Sequence, residues 1–383
     1  MSDFVKGEIA KGNYVGMVLL DLRKAFDTVN HNILIEKLRA VGIDSCDWFS
    51  SYLGGRSQCV EVNGTRSDFL PITCGVPQGS ILGPQLFLLY INDMAISLDC
   101  HLSLYADDSA LFFAGSNPQA IAERLSNELA SCHKWLVDNR LSLHIGKTEC
   151  LLFGTKRRLK RVGEFSVLCE GTVVERVFQV KYLGVFLDCY LSGSPHINSL
   201  LRSCMARLAF LYRNSSLLNF QSRKALCSSL IQPYIDYCST SWYEGLSVSL
   251  KAKLDVLQRK MIRFIYQFDY RHHVGLPELQ SLSWLSIPDR VKYFKLVHLF
   301  KIKHGLAPQY LRSNLNSVSD THTHNTRGSC SNFHVSKTLS KMPSSFAFSC
   351  VRFWNCLPAD LKRIDSLLVF KRELRKFLLS SYG

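Results

Sequence analysis

The stretch Leu104-Tyr105-Ala106-Asp107-Asp108-Ser109-Ala110-Leu111-Phe112 constrains this chain more than any other. Apolar runs at 102–106 and 110–113 flank two adjacent carboxylates, which predicts a tight strand–turn–strand with the acids at its tip. Neighbouring side chains on a strand point to opposite faces, so one acid of the pair looks into the site that the hairpin builds. A partner comes from Gly16-Met17-Val18-Leu19-Leu20, an apolar strand that runs straight into Asp21. Carboxylates brought together on adjacent strands repel one another unless a divalent cation lies between them. Their hard oxygens suit Mg²⁺, which binds through one or two carboxylates plus substrate phosphates.

A lone Asp-Asp pair is most simply a solvated turn. Three further segments, in a fixed order, set this pair apart. Cys74-Gly75-Val76-Pro77-Gln78-Gly79-Ser80-Ile81-Leu82-Gly83-Pro84 lies between the two acid sites. Lys147-Thr148-Glu149 follows the hairpin, and Lys181-Tyr182-Leu183-Gly184-Val185 comes later. Together they resemble the palm of a reverse transcriptase, with motif A at Asp21–Asp27, B at Gly75–Ser80, C at Tyr105–Asp108, D at Lys147 and E at Tyr182–Gly184. The wording Ala25-Phe26-Asp27-Thr28-Val29-Asn30-His31, with the 75–84 segment, is similar to the jockey-like branch of non-LTR (LINE-type) retrotransposon polymerases.

That resemblance implies an RNA-directed DNA polymerase, a nucleotidyltransferase that adds deoxynucleotides to a primer 3′ end by two-metal-ion catalysis. Its cofactor is Mg²⁺, with Mn²⁺ as an alternative, and its partners are an RNA template, a DNA primer and dNTPs. The implied fold is α+β: a right-hand polymerase palm, an antiparallel sheet with helices packed behind it. A helical thumb and a basic, mostly helical C-terminal region follow.

Roles carry over residue by residue. Asp21 and Asp107 are the first-choice metal ligands, and Asp108 contributes to the same acidic site. The backbone carbonyl of Leu22 is a ligand of the nucleotide metal. Phe26 stands where the family places an aromatic beneath the sugar, where it would clash with a ribonucleotide; an ordinary core Phe is the competing reading. Asp27 is read as a cap of the following turn. Gly75, Gln78 and Gly79 fit a loop whose backbone approaches substrate closely, with Gln78 on the incoming or template nucleotide. Lys147 stabilises or protonates the leaving pyrophosphate, competing with a plain surface lysine. Tyr182, Leu183 and Gly184 are the hairpin that grips the primer end, competing with an ordinary strand.

Charge is distributed unevenly. The net charge is +15 over 383 residues, but residues 1–190 balance to −2 and residues 191–383 to +17. A basic half of that kind suits nucleic acid, because Lys and Arg neutralise phosphates and release counterions. No apolar run reaches the roughly 18 residues that a membrane span needs, and Met1–Lys6 lacks the pattern of a signal peptide. The 14 cysteines lie in apolar segments, among them Cys59, Cys150, Cys169, Cys204 and Cys227, without CxxC pairs. They read as buried reduced thiols of an intracellular protein. Lys156–Arg161, five cations in six residues, is expected in a hairpin loop, either on nucleic-acid backbone, as a nuclear import signal, or merely solvated. Nuclear residence is the corresponding expectation.

Along the chain, periodicity predicts helices over 4–12, 31–41, 81–98 and 118–137 and strands over 15–22, 150–153, 164–169 and 178–187. Asn63-Gly64 predicts a hairpin joining 57–62 to 67–72. Helices follow at 194–213, 220–231, 247–268, 290–304 and 366–380, interrupted at Pro233, Pro277 and Pro288. Residues 317–331 read as an exposed polar loop rather than as a zinc site built on His322, His324, Cys330 and His334. The division expected is a palm at 1–190, a helical thumb-like region at 191–270 and a basic region at 271–383. Since Asp21 comes after only 20 residues, the chain reads as N-terminally truncated, without most of the fingers and without an endonuclease. Impaired polymerisation is expected from that, with a catalytically inactive nucleic-acid-binding remnant as the alternative.

Overall fold

Tyr14–Leu20 is the middle strand of a five-stranded sheet, and six of its seven residues are buried. Its neighbours are Asp108–Gly115 and Glu149–Phe153, both antiparallel to it. His101–Tyr105 continues one edge, and the short Glu175–Arg176 lies parallel to Glu149–Phe153 on the other. The computed structural model describes residues 1–315, 332–335, 340 and 342–382. The chain forms two units, Gly12–Leu183 and, together, Met1–Lys11 with Gly184–Gly383. It is a mixed α+β protein.

One face of the sheet is covered by the helix Pro118–Asp138. Asn117 opens that helix by accepting from the Gln119 amide at 3.0 Å, and Pro118 occupies the first turn, where its missing N–H costs nothing. Ile121, Leu125, Leu129 and Cys132 recur at helical spacing and are fully buried. Each of the large side chains contributes about 1.5–3 kcal/mol by leaving water. Gly16 marks the close approach, since a Cβ there would lie 2.5 Å from both Ile121 and Leu125. Gly16, Val18 and Leu20 therefore face the helix. The two-residue period sends Met17, Leu19 and Asp21 to the opposite face.

The 57–72 hairpin forms as two short ladders, Glu61–Val62 with Thr65–Arg66 and Ser57–Gln58 with Leu70–Pro71. Asn63 (φ +50°) and Gly64 (φ +82°) are both left-handed, as a type I′ turn requires. Helix His31–Ala40 is capped by Asn30, whose Oδ1 accepts from the Ile33 amide at 3.1 Å. The expected 81–98 helix is α-helical only over Leu82–Ile91 and then tightens into a 3₁₀ helix over Asn92–Ser97. Lys156–Leu159 is a short helix rather than a hairpin loop, because Thr155 caps it through the Arg158 amide and Arg158 stacks on the Tyr14 ring at 4.4 Å.

The second unit is helical. Ser194–Arg213, Phe220–Leu230 and Val248–Tyr266 enclose one core that runs from Val185 to Val291. A second core runs from Leu285 to Leu378 and joins Ile287–Lys303, Phe346–Asn355 and Leu367–Ser380. Pro288 sits in the first turn of Ile287–Lys303 instead of interrupting it, so that helix starts three residues before the expected 290. The N-terminal helix Ser2–Ala10 belongs to this unit and not with residues 12–183, in contrast to the division expected at residue 190. The reason is polar and long-range. Asp3 accepts from the amides of Phe346 and Ala347 at 2.8 and 3.0 Å, at the start of the Phe346–Asn355 helix. Lys6 donates to the carbonyls of Ser241 and Ser344, each at 2.9 Å. Nearby, the fully buried Lys295 is held by Ser349 at 2.6 Å and Glu244 at 3.3 Å.

All described cysteines are free, and of the five singled out, four are buried while Cys59 is half-buried. The expected polar loop at 317–331, with His322, His324 and Cys330, lies outside the described residues. Among the described residues no helix is long and apolar enough to cross a membrane.

Candidate active site

The hairpin 101–115 turns at Ala106 and Asp107, with Tyr105 paired to Asp108 across the turn. Ala106 adopts φ +53°, a conformation that costs a non-glycine residue about 1–2 kcal/mol. That turn puts Asp107 at the tip. On the other side of the hairpin, Leu19 pairs with Ala110 and Leu20 with Ser109. Asp21 and Asp108 come one step past this last pair, and the two-residue period turns both toward the face away from the Pro118–Asp138 helix.

Proximity shows in the electrostatics. Asp108's carboxyl is pushed above the usual Asp range, first by partial burial and then by the charges of Asp107 and Asp21. Three carboxylates thus share one edge of the sheet. Among the described residues no three His, Cys, Asp or Glu side chains make a ready-made cation cage. An open acidic edge of hard oxygens still fits Mg²⁺, which takes one or two carboxylates and completes its shell with water and substrate phosphates.

The segment after Asp21 is fixed by the chain that leads to Lys147. His144 donates its amide to the Asp21 carbonyl at 2.7 Å, and Arg23 donates to Ser142 at 2.8 Å. Leu22 faces Leu143 between these two bonds, and neither uses Leu22's own carbonyl. His144's carbonyl in turn accepts from Lys147 and Thr148, at 2.9 and 3.0 Å, and closes the 3₁₀ turn Ile145–Lys147. Lys147 is exposed at the sheet end that carries Asp21, two residues before Glu149, the register partner of Leu19.

Motif B is pinned against motif A by backbone. Gly75 donates to the Val29 carbonyl at 2.7 Å, and Val76 donates to Phe26 at 2.8 Å. His31 Nε2 lies 2.8 Å from the Gly75 carbonyl oxygen. Gly75 has φ +90°, and a Cβ there would sit 2.7 Å from the Asp27 carbonyl oxygen, so no other residue fits. Asp27 is not the cap of the next helix; Asn30 is. Its carboxylate instead accepts from Gln78 Nε2 at 2.7 Å. Gln78 and Gly79 are exposed, and Gly79 (φ +78°) has open space around it. Phe26 is half-buried with its ring 4.5 Å from that of Phe87, so it belongs to the core while keeping some exposure.

Tyr182 is buried, and its hydroxyl donates to Ser103 Oγ at 3.0 Å. Ser103 pairs with Ala110, which places it on the same sheet face as Asp108. Burial raises the Tyr182 pKa, opposed by the Ser103 hydrogen bond and reinforced by the Asp108 charge. Leu183 (φ +45°) and Gly184 (φ +78°) form the left-handed turn at which the chain passes from the first unit to the second. No sequence pattern signals the Asp27–Gln78 bond or the place of His144, since both depend on which segments the sheet brings together.

Comparison with known proteins finds similar sequences over the same part of the chain. Residues 3–187 match the model of the reverse transcriptase (RNA-dependent DNA polymerase) family. The chain is 29% identical over 279 residues to the "Probable RNA-directed DNA polymerase from transposon BS" of Drosophila melanogaster, covering 67% of this chain and 29% of that protein. It is 28% identical over 275 residues to the "RNA-directed DNA polymerase from mobile element jockey" of Drosophila funebris, covering 69% of this chain and 30% of that protein. A retrovirus-related Pol polyprotein from the type-1 element R1 of Bradysia coprophila is 25% identical over 248 residues, with 63% and 24% covered. The chain thus spans under a third of the length of these relatives.

Proposed function

We propose, from the premise that residues 3–187 are a reverse transcriptase domain of the non-LTR retrotransposon kind, that this chain extends a DNA primer with deoxynucleotides on an RNA template. The observation that supports it is the meeting of Asp21 and Asp108 at one end of the sheet, where the Asp21 and Asp107 charges both act on Asp108, with Asp107 at the adjoining turn. On this reading Gly12–Leu183 carries the palm, the helices from 191 to 270 act as a thumb, and the basic 271–383 region holds nucleic acid.

Asp21, Asp107 and Asp108 would hold the divalent cations, with the outward carbonyl of Leu22 as a further oxygen ligand. When bound, two such ions would ease loss of the proton from the attacking 3′-hydroxyl and neutralise the charge on the departing pyrophosphate. The protein's own groups position the rest. Gly75 lets the motif B backbone lie against Asp27, and the Asp27–Gln78 bond aims the Gln78 amide at the rim of the acidic edge. Phe26, backed by Phe87, supports the sugar and disfavours a 2′-hydroxyl. Lys147 delivers a proton or a positive charge to the leaving phosphate, a contribution typically worth 10²–10⁴-fold for a positioned acid. Tyr182, anchored on Ser103, fixes the turn at Leu183 and Gly184 that holds the primer end. The exposed cations Lys156, Arg157, Lys160 and Arg161 support nuclear residence on the same reading.

Labelled dTTP incorporation on poly(rA)/oligo(dT) with Mg²⁺ tests this, run beside Asp107→Asn and Asp108→Asn variants. Incorporation by the parent chain that both variants lose is the expected result. A folded chain that binds the template and never incorporates would overturn the proposal.

A further inference from the structure

A cavity of about 690 Å³ opens between the turn that follows Asp21, at Lys24, Asp27 and Thr28, and the 71–78 segment. Its lining includes Lys24, Arg56, Asp27, Thr73, Gly75 and Gln78. The size suits a ligand of nucleotide dimensions, and its polar lining suits a charged one.

Two cations face a single carboxylate in this lining. Asp27 is already engaged by Gln78. Lys24 and Arg56 are exposed, and neither is ion-paired among the described residues. Arg56 is nonetheless held in place: its Nε donates to the Tyr52 carbonyl at 2.7 Å, and its guanidinium lies over the Tyr52 ring at 4.8 Å. Anchoring through Nε leaves the terminal N–H pair free for a planar anion, which an Arg fork binds through two parallel hydrogen bonds. Lys24 is set by its backbone, which is left-handed at φ 45° and ψ 45°. It lies three residues on from Asp21, and three residue steps span at most about 11 Å. A polyanion whose near phosphate reacts at the acidic edge therefore has cations waiting for its far phosphates.

We infer that Arg56, seconded by Lys24, is the residue that binds the β- and γ-phosphates of the incoming nucleoside triphosphate and sets its affinity. This rests on the polymerase reading of the same site. Its chemistry is that of phosphate recognition, and the rival source of phosphate is the backbone of the template or primer strand.

The test measures binding and turnover separately in the full chain. Equilibrium binding of a fluorescent dTTP analogue, with inorganic tripolyphosphate as competitor, is compared for the parent, Arg56→Ala and Arg56→Lys. Arg56→Ala is expected to weaken dTTP-analogue and tripolyphosphate binding about 10-fold, as loss of roughly 1.4 kcal/mol of phosphate contact would. It should leave the template–primer Kd within twofold. Arg56→Lys should recover part of the loss, since charge returns without the fork. Where the chain incorporates dTTP, the loss should fall in KM and not in kcat. Unchanged nucleotide binding in Arg56→Ala overturns the inference, and so does a template–primer Kd that weakens in place of the nucleotide Kd. The binding arm reads out even from a chain that never incorporates, so failure of the polymerase reading and failure of this inference are separable.

Discussion

Gln78 donates its side-chain amide to the Asp27 carboxylate at 2.7 Å, and this single bond joins two segments 51 residues apart. Both partners are exposed, so solvent competes for the bond and its share of global stability is small. Its value lies in direction: it fixes where the Gln78 amide points. On the proposed polymerase reading, Gln78→Ala should therefore leave the thermal midpoint within a degree or two while raising KM for dNTP several-fold. Primer-extension kinetics with a parallel melting curve check this, and an equal fall in kcat at constant KM would contradict it.

Gly75 and Gly79 separate strain from collision. Both have positive φ, but only Gly75 has backbone within 3 Å of where a Cβ would go. Gly75→Ala combines left-handed strain with displacement of Asp27, about 3 kcal/mol in all. Gly79→Ala carries the strain alone, about 1 kcal/mol. Denaturant unfolding of the two variants should rank them in that order, and equal losses would show that the motif A contact is dispensable.

The acidic edge should respond to divalent cation as a binding site rather than as a surface. Mg²⁺ at ~100-fold above its Kd stabilises a site that exists only in the folded state by about 2.7 kcal/mol. The parent chain should gain in midpoint with Mg²⁺, and the Asp107→Asn, Asp108→Asn double variant should not. In the absence of divalent cation the double variant should melt no lower than the parent, because two like charges have been removed from a crowded edge. A parent and variant with the same Mg²⁺ response would refute the ligand assignment.

Acid should weaken the helical unit before it affects the sheet. Burial lowers the pKa values of His196 and His298, with the Lys301 charge adding to the effect at His298. His196 Nδ1 faces the Phe186 amide at 3.5 Å, and its Nε2 is buried without a partner. As pH falls below 6.5, the unfolded chain takes up these protons before the folded chain does. Stability therefore rises with pH across the window from the lowered pKa to 6.5 and is lost on the way down. His196→Phe, which keeps a ring against Trp242, should lose less stability between pH 7.5 and 5.5 than the parent. An identical pH slope in the variant would rule His196 out as a source of the acid sensitivity.

Thiol labelling should divide the cysteines by burial. Cys132, Cys227 and Cys350 are buried, with thiols pushed up to about 12 chiefly by burial, whereas Cys74, Cys238 and Cys356 are exposed. A brief maleimide pulse on the folded chain, read by peptide mass, should mark the second group and spare the first. Early labelling at Cys227 would indicate that the Val185–Val291 core opens on the labelling timescale.

Local signals were legible in the sequence where one short segment decides the outcome. Asn63-Gly64 determines its turn through its own backbone preference, and Asn117-Pro118 with Ile121, Leu125, Leu129 and Cys132 determines a helix and the face it buries. Asp21, Asp107 and Asp108 were legible through their position at the ends of apolar strands. What was not legible depends on partners far along the chain. Asp27 reads as a cap until Gln78 is placed beside it, and Lys156–Leu159 reads as a loop until Thr155 and Tyr14 are in view. Arg56 is one more cation after Gly54-Gly55 until Tyr52 and the 71–78 segment enclose it. The helix Ser2–Ala10 shows the same limit, since nothing near Asp3 hints at residue 346.

The bonds from Asp3 to Phe346 and Ala347 also set an order of events during synthesis. Their sequence separations are 343 and 344 residues. At about 5–20 residues per second, roughly 17–70 s pass between translation of the first helix and translation of the amides it caps. Gly12–Leu183 is contiguous and has its partners within reach once residue 183 has left the ribosome. Asp3 must wait in water until residues 346 and 347 are made, long after Ser241, one of the partners of Lys6, is available. On the ribosome, the Ser2–Ala10 helix is therefore made early and completes its contacts late.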